Sequence, residues 1–260
     1  MLELENLEVT YNRVIVAVQG ISLKVPQNGI VALLGTNGAG KSTTVRAISG
    51  FLPVDDAEIS KGAIRFDEQS ILGLAPYKVA HRGVVLVPER RKIFETLTVE
   101  NLRITSRFGG PQASADMEQV FGAFPVLAER RQQTAGYLSG GERQMLAISQ
   151  ALLCKPKLML IDELSLGLAP FLVKELMVRI HEMRTKFNIS ILLIEQDASS
   201  ALAIADYGYI MEGGRIVYEG AVEKLRSHGD VQEFYLGSGD SARVSYRDVK
   251  QYRRSRRWWG

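Results

Sequence analysis

"IVALLGTNGAGKSTTVRAISG" (30–50) decides the fold. It opens on apolar residues that do not alternate, the mark of a strand buried on both faces, passes through a glycine-bearing loop, and continues into the helical "STTVRAISG". The loop "GTNGAGKST" (35–43) fits G-x-x-x-x-G-K-[ST] in the strand–loop–helix setting that this pattern requires. Gly35, Gly38 and Gly40 allow the backbone to wrap phosphate with its N–H groups turned inward, and Thr36, Asn37, Ala39 and Thr43 complete the candidate cradle. Lys41 is spaced to reach the β- and γ-phosphates of a nucleotide, and Ser42 to ligate Mg²⁺. The plainer reading is a glycine turn that caps a helix; the full pattern arises by chance in about one chain in a hundred of this length, and the strand–loop–helix setting makes that rarer still.

Working outward, three more apolar runs do not alternate: "GVVLVPE" (83–89), "LMLIDE" (158–163) and "ISILLIE" (189–195). With "IVALLG" (30–35) they predict a mostly parallel α/β sheet with helices between its strands. Ligands of such sheets gather beyond the carboxyl ends of the strands. Those ends carry Gly35, Glu89, Asp162, Glu163 and Glu195, so the candidate chemistry lines one edge. Asp162 is a candidate to hold Mg²⁺ through its water shell. Glu163 is a candidate to orient or deprotonate an attacking water. Alone, a strand-end "DE" reads as a solvated turn; after a phosphate loop it reads as the second half of a site.

Other segments read differently. Leu2 and Leu4 alternate with polar residues, and Gly213-Gly214 in "YGYIMEGGRIVYEG" has the form of a two-residue hairpin turn, so antiparallel strands are expected to flank the parallel core. Residues 98 to 154 are helical by pattern, with Met117, Val120, Phe121 and Phe124 on one face. They form the centre of an expected helical subdomain over about 90–156. Within it, "YLSGGERQMLA" (137–147) resembles a second anion site: Ser139 can cap a helix, Gly140 and Gly141 let a ligand approach, and Glu142 closes a capping box.

Composition bounds the alternatives. Apolar residues make up 46% and charged residues 23%, as in ordinary globular proteins. No apolar run approaches the roughly 20 residues that a membrane-spanning helix needs, and the acidic, alternating start is unlike a signal peptide. A soluble protein that stays where it is made is therefore expected. Cys154 is the only cysteine, which excludes an internal disulfide, and it reads as a small core residue. His81, His181 and His228 lack metal-ligand spacing. The net charge of +3 is concentrated at the end: from Ser238 onward seven Lys and Arg face two Asp.

The phosphate loop, "LSGGE", "LMLIDE" and their order resemble the ATP-binding subunit of ABC transporters. The resemblance covers residues 1–237 and leaves 238–260 as a basic, aromatic tail. It implies a P-loop ATPase fold and a head-to-tail pair, in which each ATP lies between one chain's phosphate loop and the other chain's Ser139–Glu142. Permease subunits in the membrane, a substrate-binding protein acting indirectly, and a cytoplasmic position on the inner face of the cell membrane follow from the same resemblance. Tyr11 stands where the family stacks an aromatic ring on adenine, although it also reads as an ordinary strand tyrosine. "ELSLGLAP" (163–170) stands where the family contacts the opposite subunit.

Three positions depart from the general family pattern. Glu89 replaces a usual glutamine and can still offer oxygen to Mg²⁺ or to the attacking water. Gln196 replaces a usual histidine; its amide can donate to the γ-phosphate but cannot titrate. Leu164 replaces a usual proline, and the following "SLGL" lacks the usual aspartate. Glu89, Gln196, "SLGLAP" and "YLG" (235–237) resemble the branched-chain or hydrophobic amino-acid uptake branch, while Leu164 departs even from that. Urea or another small organic cargo, a soluble ATPase acting on nucleic acid, and a protein that binds ATP without turning it over stand as alternatives. The tail "YRDVKQYRRSRRWWG" suits a solvated segment, an anionic membrane surface or single-stranded nucleic acid.

Overall fold

The computed structural model describes residues 1–89, 93–105, 110–229 and 231–232. "YLG", the "GSGDS" break and the basic tail lie outside the described residues. The chain opens on two long strands, β1 (Leu2–Tyr11) and β2 (Ile15–Val25), followed by β3 (Ile30–Leu34) and α1 (Lys41–Ser49). Next come β4 (Ala57–Phe66), β5 (Gln69–Ser70), α2 (Pro76–His81) and β6 (Val84–Val87). Helices α3 (Gly110–Ala123), α4 (Pro125–Glu129) and α5 (Gly140–Leu153) precede β7 (Leu158–Asp162). The chain continues through α6 (Pro170–Phe187), β8 (Ser190–Glu195), α7 (Ala198–Leu202), β9 (Tyr207–Glu212), β10 (Arg215–Ala221) and α8 (Val222–Ser227).

All four apolar runs become strands of one sheet, ordered β10-β9-β3-β8-β7-β6. Pairing is parallel from β9 through β6, so the carboxyl ends of β3, β6, β7 and β8 share one edge. The runs do not alternate because both faces are buried. Ala32, Leu34, Ile161 and Leu193 point into one core, with Met117, Val120, Phe121 and Phe124 packed in the same cluster. Leu33, Leu160 and Ile194 point into the other.

Two expectations are refined. One face is covered by helices alone; the other meets α1, α2 and a separate antiparallel sheet, β2-β1-β4-β5, so the alternating start belongs to a second layer. The Gly213-Gly214 turn joins β9 to β10 as read, with both glycines at positive φ, but β9 also pairs parallel with β3. Cys154 is half-buried at the edge of the helical core.

Candidate functional site

At the shared strand edge the chain leaves β3 through the 35–40 loop and enters α1. Gly40 caps that helix in the left-handed conformation and offers no side-chain acceptor. The first turn carries no acidic residue, so its N–H groups and positive dipole end stay available to an anion. The loop borders a cavity of about 330 Å³, lined by Asn37 to Thr43, Glu89, Glu163 and Leu166 among others.

Lys41 is buried in this loop. Its ammonium donates to the carbonyls of Gly35 at 2.9 Å and Thr36 at 3.1 Å, and pairs with Glu163 Oε1 at 3.1 Å. The ammonium thus has acceptors for all three protons, one of them ionic, before any ligand arrives. Glu163 reaches it because the chain turns sharply past the end of β7. Its N–H donates to Ile194 O at 2.9 Å, one step beyond the strand ladder, and its φ is 47°. That is the left-handed region, which costs a non-glycine residue about 1 kcal/mol or more.

Ser42 donates to Asp162 Oδ1 at 3.3 Å. Burial pushes the Asp162 carboxyl up to about 6, and the neighbouring Glu163 and Glu89 charges push the same way against Ser42 and Lys41. Glu89 is half-buried on the same cavity wall. Three carboxylates against one ammonium leave a local excess of negative charge. Among the described residues no three such side chains converge as a ready-made metal site; hard oxygen donors with such an excess suit a divalent cation such as Mg²⁺ that keeps water and phosphate as its other ligands.

The second predicted cradle is built as expected but stands elsewhere. Ser139 caps α5: its hydroxyl accepts from the Glu142 N–H at 3.3 Å, and Glu142 Oε2 accepts from the Ser139 N–H at 2.8 Å. Burial opposes ionisation of Glu142, but the Ser139 bonds and the Arg130 guanidinium at 2.7 Å hold its carboxyl below the ordinary value. Ser139 and Gly140 are exposed, and none of Ser139 to Glu142 is among the described residues lining the phosphate-loop cavity.

Of the predicted phosphate-side residues, Gly35, Thr36 and Asp162 lie behind the cavity lining, bonded to Lys41 or Ser42, and Gln196 and Tyr11 stand apart from it. Gln196 is exposed just past β8. Tyr11 shares a hydrogen bond with Thr43 Oγ1 at 3.2 Å, so its hydroxyl is tied to the first turn of α1. Leu164 receives an explanation that its sequence position lacked. Its side chain is fully buried in the helical-side core, and its carbonyl accepts from the buried Gln144 amide at 3.0 Å. Sequence reasoning also gave no role to Glu195, whose carboxylate is fully buried at the end of β8. Burial pushes it up to about 7, helped by Glu163 and Asp197, although the Ser165 N–H and hydroxyl both donate to it. Its place at a strand end was the available signal.

Comparison with known proteins agrees with this geometry. The sequence pattern of the ABC transporter family matches residues 18–165. The high-affinity branched-chain amino acid transport ATP-binding protein BraG of Pseudomonas aeruginosa is 38% identical over 91% of this chain and 100% of its own length. A probable branched-chain amino acid transport ATP-binding protein, LivF, of Archaeoglobus fulgidus is 32% identical over 85% of the chain and 92% of its own. Among solved structures, an ATP-binding cassette of an ABC transporter in its ADP conformation superposes with a TM-score of 0.77. It is 28% identical and covers 92% of this chain and 99% of its own.

Proposed function

Because the chain belongs to the ABC transporter family of ATP-binding proteins, we propose that it is the ATP-hydrolysing subunit of an importer for branched-chain or other hydrophobic amino acids. One observation carries the mechanism. Lys41, Ser42 and Glu163 line one cavity, with Asp162 bonded to Ser42 behind it, while the capped, exposed N-terminus of α5 does not line it. The chain therefore owns two halves of a site and does not close one on the other. Two ATPase subunits, copies or relatives, complete the site by meeting head to tail.

In this reading the 35–43 amides hold the phosphates, and Lys41 exchanges its Glu163 contact for the β- and γ-oxygens of ATP. That exchange frees the Glu163 carboxylate to accept a proton from the attacking water. Ser42 and Asp162, with Glu89, would hold Mg²⁺, which when bound neutralises phosphate charge. Gln196 is one residue past the strand that aligns Glu163, and its amide donates to the γ-phosphate from there. Tyr11 serves the base.

Ser139, Gly140, Gly141 and Glu142 present the N-terminus of α5 to the partner's γ-phosphate. Each charge-assisted hydrogen bond made there contributes about 1.5–3 kcal/mol. We assign residues 1–237 to the ATPase domain, with about 90–156 as a helical subdomain and 238–260 as a tail. No helix among the described residues is long and apolar enough to cross a membrane. Docking on the inner face of the membrane through permease subunits supplies that location.

The test is reconstitution with the permease subunits and a substrate-binding protein in vesicles. Leucine uptake that requires ATP and stops with Lys41→Ala is expected. ATP turnover that no hydrophobic amino acid stimulates would exclude the cargo.

A further inference from the structure

Glu195 ends β8 with its carboxylate fully buried, and it accepts two hydrogen bonds from one residue. The Ser165 N–H donates to Oε1 at 3.1 Å, and the Ser165 hydroxyl donates to Oε2. One position earlier on the same strand, Ile194 O accepts the N–H of Glu163. The end of β8 therefore grips the turn on both sides of Leu164. Between those grips lies Glu163, at a positive φ that a glutamate seldom adopts. Such a conformation persists only where its surroundings over-determine it.

The geometry points to Glu195 as a positioning residue for ATP hydrolysis: by holding both Ser165 donors it fixes the turn that aims Glu163 into the phosphate-loop cavity. The assignment rests on Glu163 handling water, as proposed above; Glu195 acts through Ser165 and Glu163. The chain on either side of the pin shows what it controls. Leu164 is held from the opposite side by the Gln144 amide of α5. Leu166 lines the cavity, and Leu168 packs against Gly140, where an added Cβ would lie 3.2 Å from its Cδ2. Ser165 is thus the tethered point on a short segment running from Glu163 to the N-terminus of α5. Losing the tether lets Glu163 relax toward negative φ, which carries its carboxylate away from the Lys41 ammonium.

A carboxyl is suited to this place because a buried N–H and a hydroxyl both need a partner. Glutamine keeps an acceptor for the N–H and turns a donor toward the hydroxyl oxygen, so it preserves the bridge. Alanine removes it.

The test measures kcat and KM for ATP in the full chain, paired with its ATPase partner, for Glu195→Ala, Glu195→Gln, Ser165→Ala and Glu163→Gln. Glu195→Ala is expected to lower kcat by ~10- to 100-fold, the scale of a misplaced reacting group, with KM for ATP not raised. Ser165→Ala, which loses one bond of the two, is expected to lower kcat about fivefold. Glu195→Gln is expected to restore kcat to within about threefold of the parent. Full kcat in Glu195→Ala or Ser165→Ala overturns the assignment, as does a Glu195→Gln as slow as the alanine variant.

ATP affinity, measured for each variant, reports whether it folds. Should Glu195→Ala fail to fold, Ser165→Ala and Glu195→Gln decide the matter. Glu163→Gln separates the two readings. If it turns over normally, the role of Glu163 fails; if it is inactive while Ser165→Ala is fully active, only the positioning role fails.

Discussion

Replacing Glu163 with glutamine should loosen the free chain and tighten its hold on ATP. In the free chain the carboxylate lies 3.1 Å from the Lys41 ammonium, and both side chains are almost fully buried. A hydrogen bond to a charged group contributes about 1.5–3 kcal/mol. The amide keeps that bond without its ionic share, and Lys41 retains the Gly35 and Thr36 carbonyls, so the expected loss is about 1 kcal/mol. For a chain of this size that lowers the melting temperature by ~2–4 °C.

Binding moves the other way. In the proposed mechanism ATP displaces Glu163 from Lys41 and then sits beside its negative charge, and Glu163→Gln removes both obstacles. About 1 kcal/mol in favour of the nucleotide corresponds to roughly fivefold tighter binding. Calorimetric titration at equilibrium reads the affinity, a thermal scan reads the stability, and phosphate release is expected to stall. A variant that is more stable without ATP and binds it more weakly would refute the reasoning, because Lys41 would then not be exchanging one partner for the other.

The remaining expectations concern packing, capping and pH. Gly35→Ala would place a Cβ 2.2 Å from the Met211 carbonyl oxygen on β9. It should cost about 3 kcal/mol, the upper end for overpacking, and lower the urea midpoint accordingly. Ser139→Ala removes the cap of α5 and should cost about 1 kcal/mol in the isolated chain, while ATP turnover of the pair falls further than that loss explains. Glu195 carries its proton up to about 7 when folded, against an ordinary value of 4.5. Its contribution to stability is therefore fully present below pH 4.5 and is lost as pH rises to 7. Glu195→Gln should gain about 3 kcal/mol relative to the parent between pH 4.5 and 8, read as unfolding free energy in urea. An equal pH dependence in both proteins would contradict the buried, protonated carboxyl.

The parallel strands were legible because burial on both faces leaves Val, Ile and Leu uninterrupted, and the phosphate loop because its spacing is chemical rather than merely apolar. The second sheet was legible only at Leu2 and Leu4. Register shifts between Leu4 and Thr10 break the alternation of β1 against β2 and β4, so "IVAVQGISLKV" and "AEISKGAIRF" lack a clean period of two. Glu195 was visible as a strand end, but its partner Ser165 lies 30 residues away and meets it only through the pairing of β7 with β8. Leu164 looked anomalous for a related reason: nothing local shows that its side chain enters the core beneath the turn. The types and spacings of the candidate side chains are written along the chain, whereas the bonds between Lys41 and Glu163, or Ser42 and Asp162, exist only after strands distant in sequence align.

Phosphate release per chain, followed on dilution, tests most directly the claim that two chains make each site. A site shared by two chains gives a specific rate that rises with the concentration of this chain or its partner ATPase and vanishes for monomers, with Ser139→Ala suppressing it at every concentration. A monomer that hydrolyses ATP at full speed, unaffected by Ser139→Ala, would contradict it.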